Sequence, residues 1–266
     1  MVLKSIVFLL LFSLLGGEGF VFSQQTIKGF YLSNFQSNGT KDWELKGREA
    51  KVYQNLVEIF DMEAKYFRKD RMIDIKADKG KLNRERMRTY LEDNVKIRSS
   101  DGLSLFTNSL IWLKNANLIN TQDKVVLTKG TMTIEAQGMQ ANTSLEKVDF
   151  KKDVKIKFSK EDAPQMITID CKGPLEIDYK KGEAIFKSQV IVESEEGKMI
   201  ADRAIVYFTK DSKSIERIVA EGNVKIYRGA NVTFAQKATY LNEEKKIILE
   251  GRPRLILFPQ KVSSKD

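Results

Sequence analysis

Ala220-Glu221-Gly222-Asn223-Val224-Lys225-Ile226 begins with a small residue, passes through a turn-prone polar pair and ends in alternating apolar and charged side chains. Alternation at a period of two, rich in Val and Ile, is the pattern of a strand with one buried face. The phrase recurs upstream as Asp93-Asn94-Val95-Lys96-Ile97, Lys152-Asp153-Val154-Lys155-Ile156-Lys157-Phe158 and Ser188-Gln189-Val190-Ile191-Val192. Downstream it returns as Gly251-Arg252-Pro253-Arg254-Leu255. Between the copies stands a second phrase, in which an apolar residue precedes a small one by two places. It reads Leu45-x-Gly47, Ile75-x-Ala77, Leu105-x-Thr107, Ile134-x-Ala136, Ile169-x-Cys171, Met199-x-Ala201 and, with Thr233 breaking the apolar rule, Thr233-x-Ala235. The steps between small positions are 30, 30, 29, 35, 30 and 34 residues. In most copies another small or turn-prone residue follows three later: Ala50, Gly80, Pro174, Ala204 and Ala238.

Turn chemistry separates the phrases. Lys180-Lys181-Gly182-Glu183, Lys210-Asp211-Ser212-Lys213 and Asn242-Glu243-Glu244-Lys245 lie on one side, and Ser100-Asp101-Gly102, Glu195-Glu196-Gly197 and Arg228-Gly229 on the other. Each unit of about 30 residues therefore holds two strands and two turns, and repeats of that period build stacked architectures. No stretch sustains a helical period. The expected fold is all-β: an elongated, stacked β-jellyroll or sandwich of two facing antiparallel sheets with apolar inner faces. Two small residues three apart would face opposite sides of a regular strand, so a bulge or bend is expected at that corner. Pro253 stands where earlier units have Val95, Val154, Val190 and Val224, yet it cannot donate to a ladder. It marks the last repeat as an open edge.

Composition excludes several function classes. Among 266 residues there are 45 Lys+Arg against 36 Asp+Glu, a net charge of +9, with no histidine, one cysteine and four prolines. Without histidine there is no Ser/His/Asp or Cys/His pair, no His-ligated metal and no imidazole acid-base group. One cysteine excludes an internal disulfide framework and a Cys-rich metal site. An apolar share of 42% is sufficient for a sizeable core. The charges are interspersed rather than gathered into a basic stripe with aromatics, so a nucleic-acid partner is not expected.

Met1 to Ser23 carry Lys4 and an apolar run from Ile6 to Leu15, which Gly16-Gly17-Glu18-Gly19 then interrupts. The run falls short of the roughly 20 residues a spanning helix needs and matches a secretory h-region. Val21 and Ser23 suit a cut before Gln24; the alternative is an uncleaved anchor from Ile6 to Phe22 with Glu18 inside it. Residues 1–23 are thus a signal peptide or a membrane anchor.

Candidate chemical groups mostly dissolve into structural roles. Cys171 occupies the small-residue register beside Ala136 and Ala201, which suits a packed thiol. Glu195-Glu196 and Glu243-Glu244 fall in turns, where solvation explains them. Trp43 and Trp112 are isolated aromatics suited to a core or to a sugar. No nucleophile, base and orienter come together, so no enzyme and no cofactor are expected. What remains is the interior. Val95, Ile97, Val154, Ile156, Phe158, Val190, Val192, Val224, Ile226, Leu255 and Leu257 share one parity and are the candidate lining of an apolar trough. Parity alone leaves open whether that face is packed shut or holds a ligand. Acyl chains in such a trough would gain about 0.8 kcal/mol per buried methylene.

Ile27-Lys28-Gly29-Phe30-Tyr31-Leu32-Ser33, followed by Asp42-Trp43-Glu44-Leu45-Lys46-Gly47-Arg48-Glu49-Ala50-Lys51-Val52-Tyr53, resembles the opening of the LptC family. Met199-Ile200-Ala201-Asp202-Arg203-Ala204 and the phrase at Ala220 resemble the LptA (OstA-like) family. The resemblance covers roughly 24 to 258 and implies an LptC-like jellyroll at 24–160 followed by an LptA-like jellyroll at 161–266, with Asp162-Ala163-Pro164 as the seam. It implies a periplasmic component of lipopolysaccharide export, with or without an inner-membrane anchor, that holds lipid A acyl chains in its trough. The implied partners are the inner-membrane ABC transporter complex and further bridge or outer-membrane Lpt components, met through open sheet edges; self-association through those edges stays open. The alternative is a non-catalytic β-repeat scaffold of the cell envelope with a fully packed interior.

Overall fold

The computed structural model describes residues 24–67, 71–83, 85–143, 145–160, 163–209 and 214–258. The signal or anchor segment, 1–23, lies outside them. The described residues form seventeen β-strands and one 3-10 turn at Lys114–Ala116. In order these are β1 Gln25–Phe35, β2 Lys41–Val52, β3 Leu56–Phe67, β4 Met72–Asn83, β5 Arg88–Ser99, β6 Leu103–Leu113, β7 Leu118–Lys129, β8 Met132–Asn142 and β9 Lys147–Lys160. Then follow β10 Ala163–Cys171, β11 Leu175–Asp178, β12 Glu183–Ser194, β13 Gly197–Phe208, β14 Ile215–Arg228, β15 Asn231–Leu241, β16 Lys246–Glu250 and β17 Arg254–Ile256. The chain divides into two compact units at Asp123/Lys124.

In the first unit β1 to β6 pair antiparallel in chain order. The strands are long, and each bends near its middle, so one strand serves two sheets. Ile97 pairs with Ile75 and Leu105 in one sheet, whereas Leu91 pairs with Gly80 and Leu110 in the other. The sheets face one another: a Cβ placed on Gly80 would lie 2.4 Å from Met62 Sδ of the opposite sheet. Val95, Leu105 and Leu110 are buried between them.

The second unit repeats the arrangement. β9 pairs with β8 and with both β10 and β11, and β12 pairs with β10, β11 and β13. Beyond them β13, β14 and β15 follow in order, and β15 takes β16 and β17 on its far side. β10 and β11 are thus one repeat strand interrupted at Lys172-Gly173-Pro174, and β16 and β17 are another, interrupted at Gly251-Arg252-Pro253.

The bend lies elsewhere than the small-residue phrase alone suggests. The polar pairs Asp93-Asn94, Ser188-Gln189 and Gly222-Asn223 are not turns between strands. They sit inside β5, β12 and β14 with positive φ, and the register slips by one residue at each. These are β-bulges, which supply the extra residue a sharp corner needs. Asn and Gly tolerate the left-handed region best. The Asn side chains are also fastened across the corner: Asn94 Nδ2 donates to Asp78 (2.6 Å) and Asn223 Nδ2 to Asp202 (2.8 Å). The small residues lie opposite the bulges, where both members of a pair such as Ala201 and Ala204 point inward. There the two sheets converge on Ala201, Ala220, Val224, Ala235 and Ala238, and larger side chains would force them apart.

Outer faces carry cross-strand ion pairs. Glu63 is flanked by Lys46 (2.7 Å) and Lys76 (3.0 Å), and their hydrogen bonds hold its carboxyl below the usual range. Lys124 and Lys157 flank Glu135 in the same way. Such pairs disperse the basic excess over the surface.

Candidate functional site

The two sheets of the second unit meet at the bulged corner and separate on the other side, at the strand ends. That mouth is an apolar cleft. Met132, Ile156 and Phe158 form one wall, and Ile177, Tyr179, Ala184, Phe186, Val206, Phe208 and Ile215 form the other, with Ser214 at the rim. It holds only about 40 Å³ of water-accessible space, room for a few waters at about 10–15 Å³ each. In the first unit an aromatic pair closes the corresponding place. Tyr66 and Trp112 come from opposite sheets and meet edge to face, with centroids 6.3 Å apart.

Of the predicted lining, Val95, Ile97, Val154, Ile156, Val190 and Val224 are buried between the sheets, and Phe158, Val192 and Ile226 are half-buried. Leu255 and Leu257 are 59% and 67% exposed, outside the interior. They belong to the last repeat, over which no further strand folds among the described residues. Only Ile156 and Phe158 border the cleft itself. The opposite wall was missed because the candidates came only from the phrase after the bulge. Its signal was nevertheless present in one stretch, as period-two alternation in Leu175-x-Ile177-x-Tyr179, whereas Ala204 to Phe208 is apolar throughout.

Other candidates resolve into structure. Trp43 is buried. Cys171 is buried too, its thiol donating to the carbonyls of Gly173 (3.0 Å) and Lys187 (3.1 Å), and burial pushes its pKa up. A second, wider recess of about 500 Å³ lies beside the bulges. Its Lys124, Lys155 and Lys172 are balanced by Glu135, Asp153 and Asp170, with ion pairs Lys124–Glu135 and Lys155–Asp170. Among the described residues no group of three His, Cys, Asp or Glu could hold a metal ion, and no helix is long and apolar enough to cross a membrane.

Comparison with known proteins matches two successive stretches of the chain. The sequence model for LptC-related lipopolysaccharide-assembly proteins matches residues 23–159. The model for the LptA and LptD N-terminal lipopolysaccharide-transport domain matches residues 169–265. No curated protein matches. Among solved structures, the chain is similar to LptH of Pseudomonas aeruginosa, described as the LptA-homologous periplasmic component of the lipopolysaccharide transport device. The identity is 10% and the TM-score 0.39, over 60% of this chain and 99% of that one. With more than half of its length matched by the first of these models, the chain belongs to the LptC-related lipopolysaccharide-assembly family and continues into a segment of the LptA/LptD N-terminal transport type.

Proposed function

We propose that this protein is a periplasmic carrier segment of lipopolysaccharide export that holds lipid acyl chains between its sheets. The single observation that supports this most is the apolar cleft at the mouth of the second unit, in a chain of a lipopolysaccharide-assembly family. An acyl chain entering there replaces side-chain contacts with equivalent apolar ones and leaves water, worth about 0.8 kcal/mol per methylene. No catalytic step is needed; energy comes from an ATPase elsewhere. The LptC-like part spans 24–160 and the LptA-like part 161–266, and the chain passes lipid from the inner-membrane ABC transporter complex toward outer-membrane components. It joins its neighbours by strand addition at β1 and at β16–β17, where Tyr31, Phe35, Leu255, Leu257 and Phe258 are exposed.

Photo-crosslinking probes at Phe158, Phe208 and Ile215 should capture lipopolysaccharide during export, whereas probes at the outward Lys155 and Lys225 should not. Equal labelling at both sets would refute the trough. The small enclosed volume favours a second reading, a packed β-repeat scaffold of the envelope. Purified protein carrying no lipid and gaining no thermal stability from added lipid would decide for the scaffold.

A further inference from the structure

The cleft of the second unit is apolar along nearly all of its lining, but Tyr179 in its wall carries a hydroxyl, and Ser214 stands at the rim. The Tyr179 ring is held edge-on by Phe208, with centroids 5.9 Å apart, and Lys129 Nζ stands 5.1 Å from its centroid. The hydroxyl oxygen is buried and has no hydrogen-bond partner among the described residues. A buried hydroxyl left unpaired destabilises the protein that carries it. Phenylalanine would fill the same space without that penalty, so packing gives no reason for the oxygen. A ligand that brings an acceptor into the cleft does. Desolvation raises the Tyr179 pKa to about 12, so the group is a donor throughout the neutral range.

An acyl chain has its acceptor in a fixed place, the ester or amide carbonyl that joins it to its head group. With the chain among Met132, Phe158 and Phe208, that carbonyl would reach the Tyr179 hydroxyl, and a phosphate beyond it would reach the Lys129 ammonium. We propose that Tyr179 is a specificity-determining residue of the lipid site: its hydroxyl donates to the carbonyl of a bound acyl chain, and Lys129 meets the anionic head of the same lipid. The inference rests on the cleft being the lipid site.

Two phosphate-headed lipids of equal chain length, one ester-linked and one ether-linked, test it on the full-length chain. The unaltered protein should bind the ester about three- to tenfold more tightly than the ether, the range of one net hydrogen bond. Tyr179→Phe should bind both with the ether's affinity and should melt no lower than the parent. Lys129→Gln should weaken both lipids alike and reduce the salt dependence of binding. An ester-to-ether ratio of one in the unaltered protein, or the same ratio kept in Tyr179→Phe, overturns the role of Tyr179 and leaves the lipid site standing. A lower melting temperature for lipid-free Tyr179→Phe overturns it also, because the hydroxyl would then serve the fold. Binding of neither lipid by the unaltered protein refutes the lipid site itself.

Discussion

Replacing Gly173 with alanine tests how tightly the corner of the second unit is closed. A Cβ at this position would lie 2.0 Å from the carbonyl oxygen of Lys187 and 2.8 Å from its carbonyl carbon. The obstacle is backbone, so no rotamer change relieves it. Reaching even 3.0 Å demands a movement of 1.0 Å. That movement pulls on Lys187 N–H donating to Pro174 (3.0 Å) and on the Cys171 thiol donating to Gly173 and Lys187. One buried polar group left unpaired costs about 1–3 kcal/mol, and a forced shift in a packed core adds about 1–3 kcal/mol. The expected loss for Gly173→Ala is therefore about 2–6 kcal/mol, a large part of the roughly 5–15 kcal/mol that holds a domain folded. Gly229 supplies the control: its φ is +56° but nothing lies within 4 Å of an added Cβ, so alanine there brings only left-handed strain of about 1 kcal/mol. Urea unfolding gives the two differences. Hydrogen exchange should show the Gly173→Ala lesion first in β10, β11 and β12, because stacked repeats open locally. A loss for Gly173→Ala no greater than that for Gly229→Ala would refute the close-approach argument.

The Cys171 thiol should resist aromatic disulfide reagents at mildly alkaline pH and react fully only in denaturant, since burial both shields it and raises its pKa; rapid reaction of the folded protein would contradict this. Glu63 has a folded pKa below its unfolded value of about 4.3, so its contribution to stability is present above that value and is lost as pH falls through the folded one. Glu63→Gln should accordingly flatten the acid side of the melting-temperature profile, less so at high salt; an unchanged profile would count against the pairing. Tyr179 has the opposite sign: its folded pKa is about 12 against about 10 when unfolded, so stability falls as pH rises from one to the other. Ultraviolet titration should show the Tyr179 phenol still protonated near pH 11, as a difference between the parent and Tyr179→Phe.

Much of this architecture is legible in sequence because each strand carries its own parity. Val95-x-Ile97 and Val154-x-Ile156 alternate without exception, and Val95, Ile97, Val154 and Ile156 are all buried. The corner was half legible. Small residues three apart required a bend, but the bulge itself belongs to the neighbouring strand, in Asp93-Asn94 and Gly222-Asn223. Its cross-strand partners, Asp78 and Asp202, are joined only by the pairing register. Leu255 and Leu257 show where parity stops: it says which residues share a face but not whether another strand follows to cover that face. The mouth was the least legible part. A cleft depends on how far two sheets separate at the strand ends, and Tyr66 with Trp112 closes in one unit the kind of place where Phe158 and Phe208 leave a gap in the other.

The corner and mouth of the second unit are held by different forces, and that difference suits transport. Backbone hydrogen bonds run between neighbouring strands within each sheet, so separating the two sheets at the mouth breaks none of them. At the corner, bulges, small side chains and the Asn223–Asp202 bond hold the sheets together. At the mouth the described residues join them mainly by apolar contacts, among side chains such as Phe158, Phe186 and Phe208, with the Lys129 ammonium against the Tyr179 ring. A rotation about the corner would exchange those contacts for contacts with an acyl chain, at similar free energy per unit of apolar area. On the proposed function the cleft would need no large empty volume before a lipid arrives, because the ligand would supply the packing that the opened sheets lose. The proposed function accords with the absence of histidine: a site that held and released a lipid by apolar exchange would need no group that titrates near neutral pH.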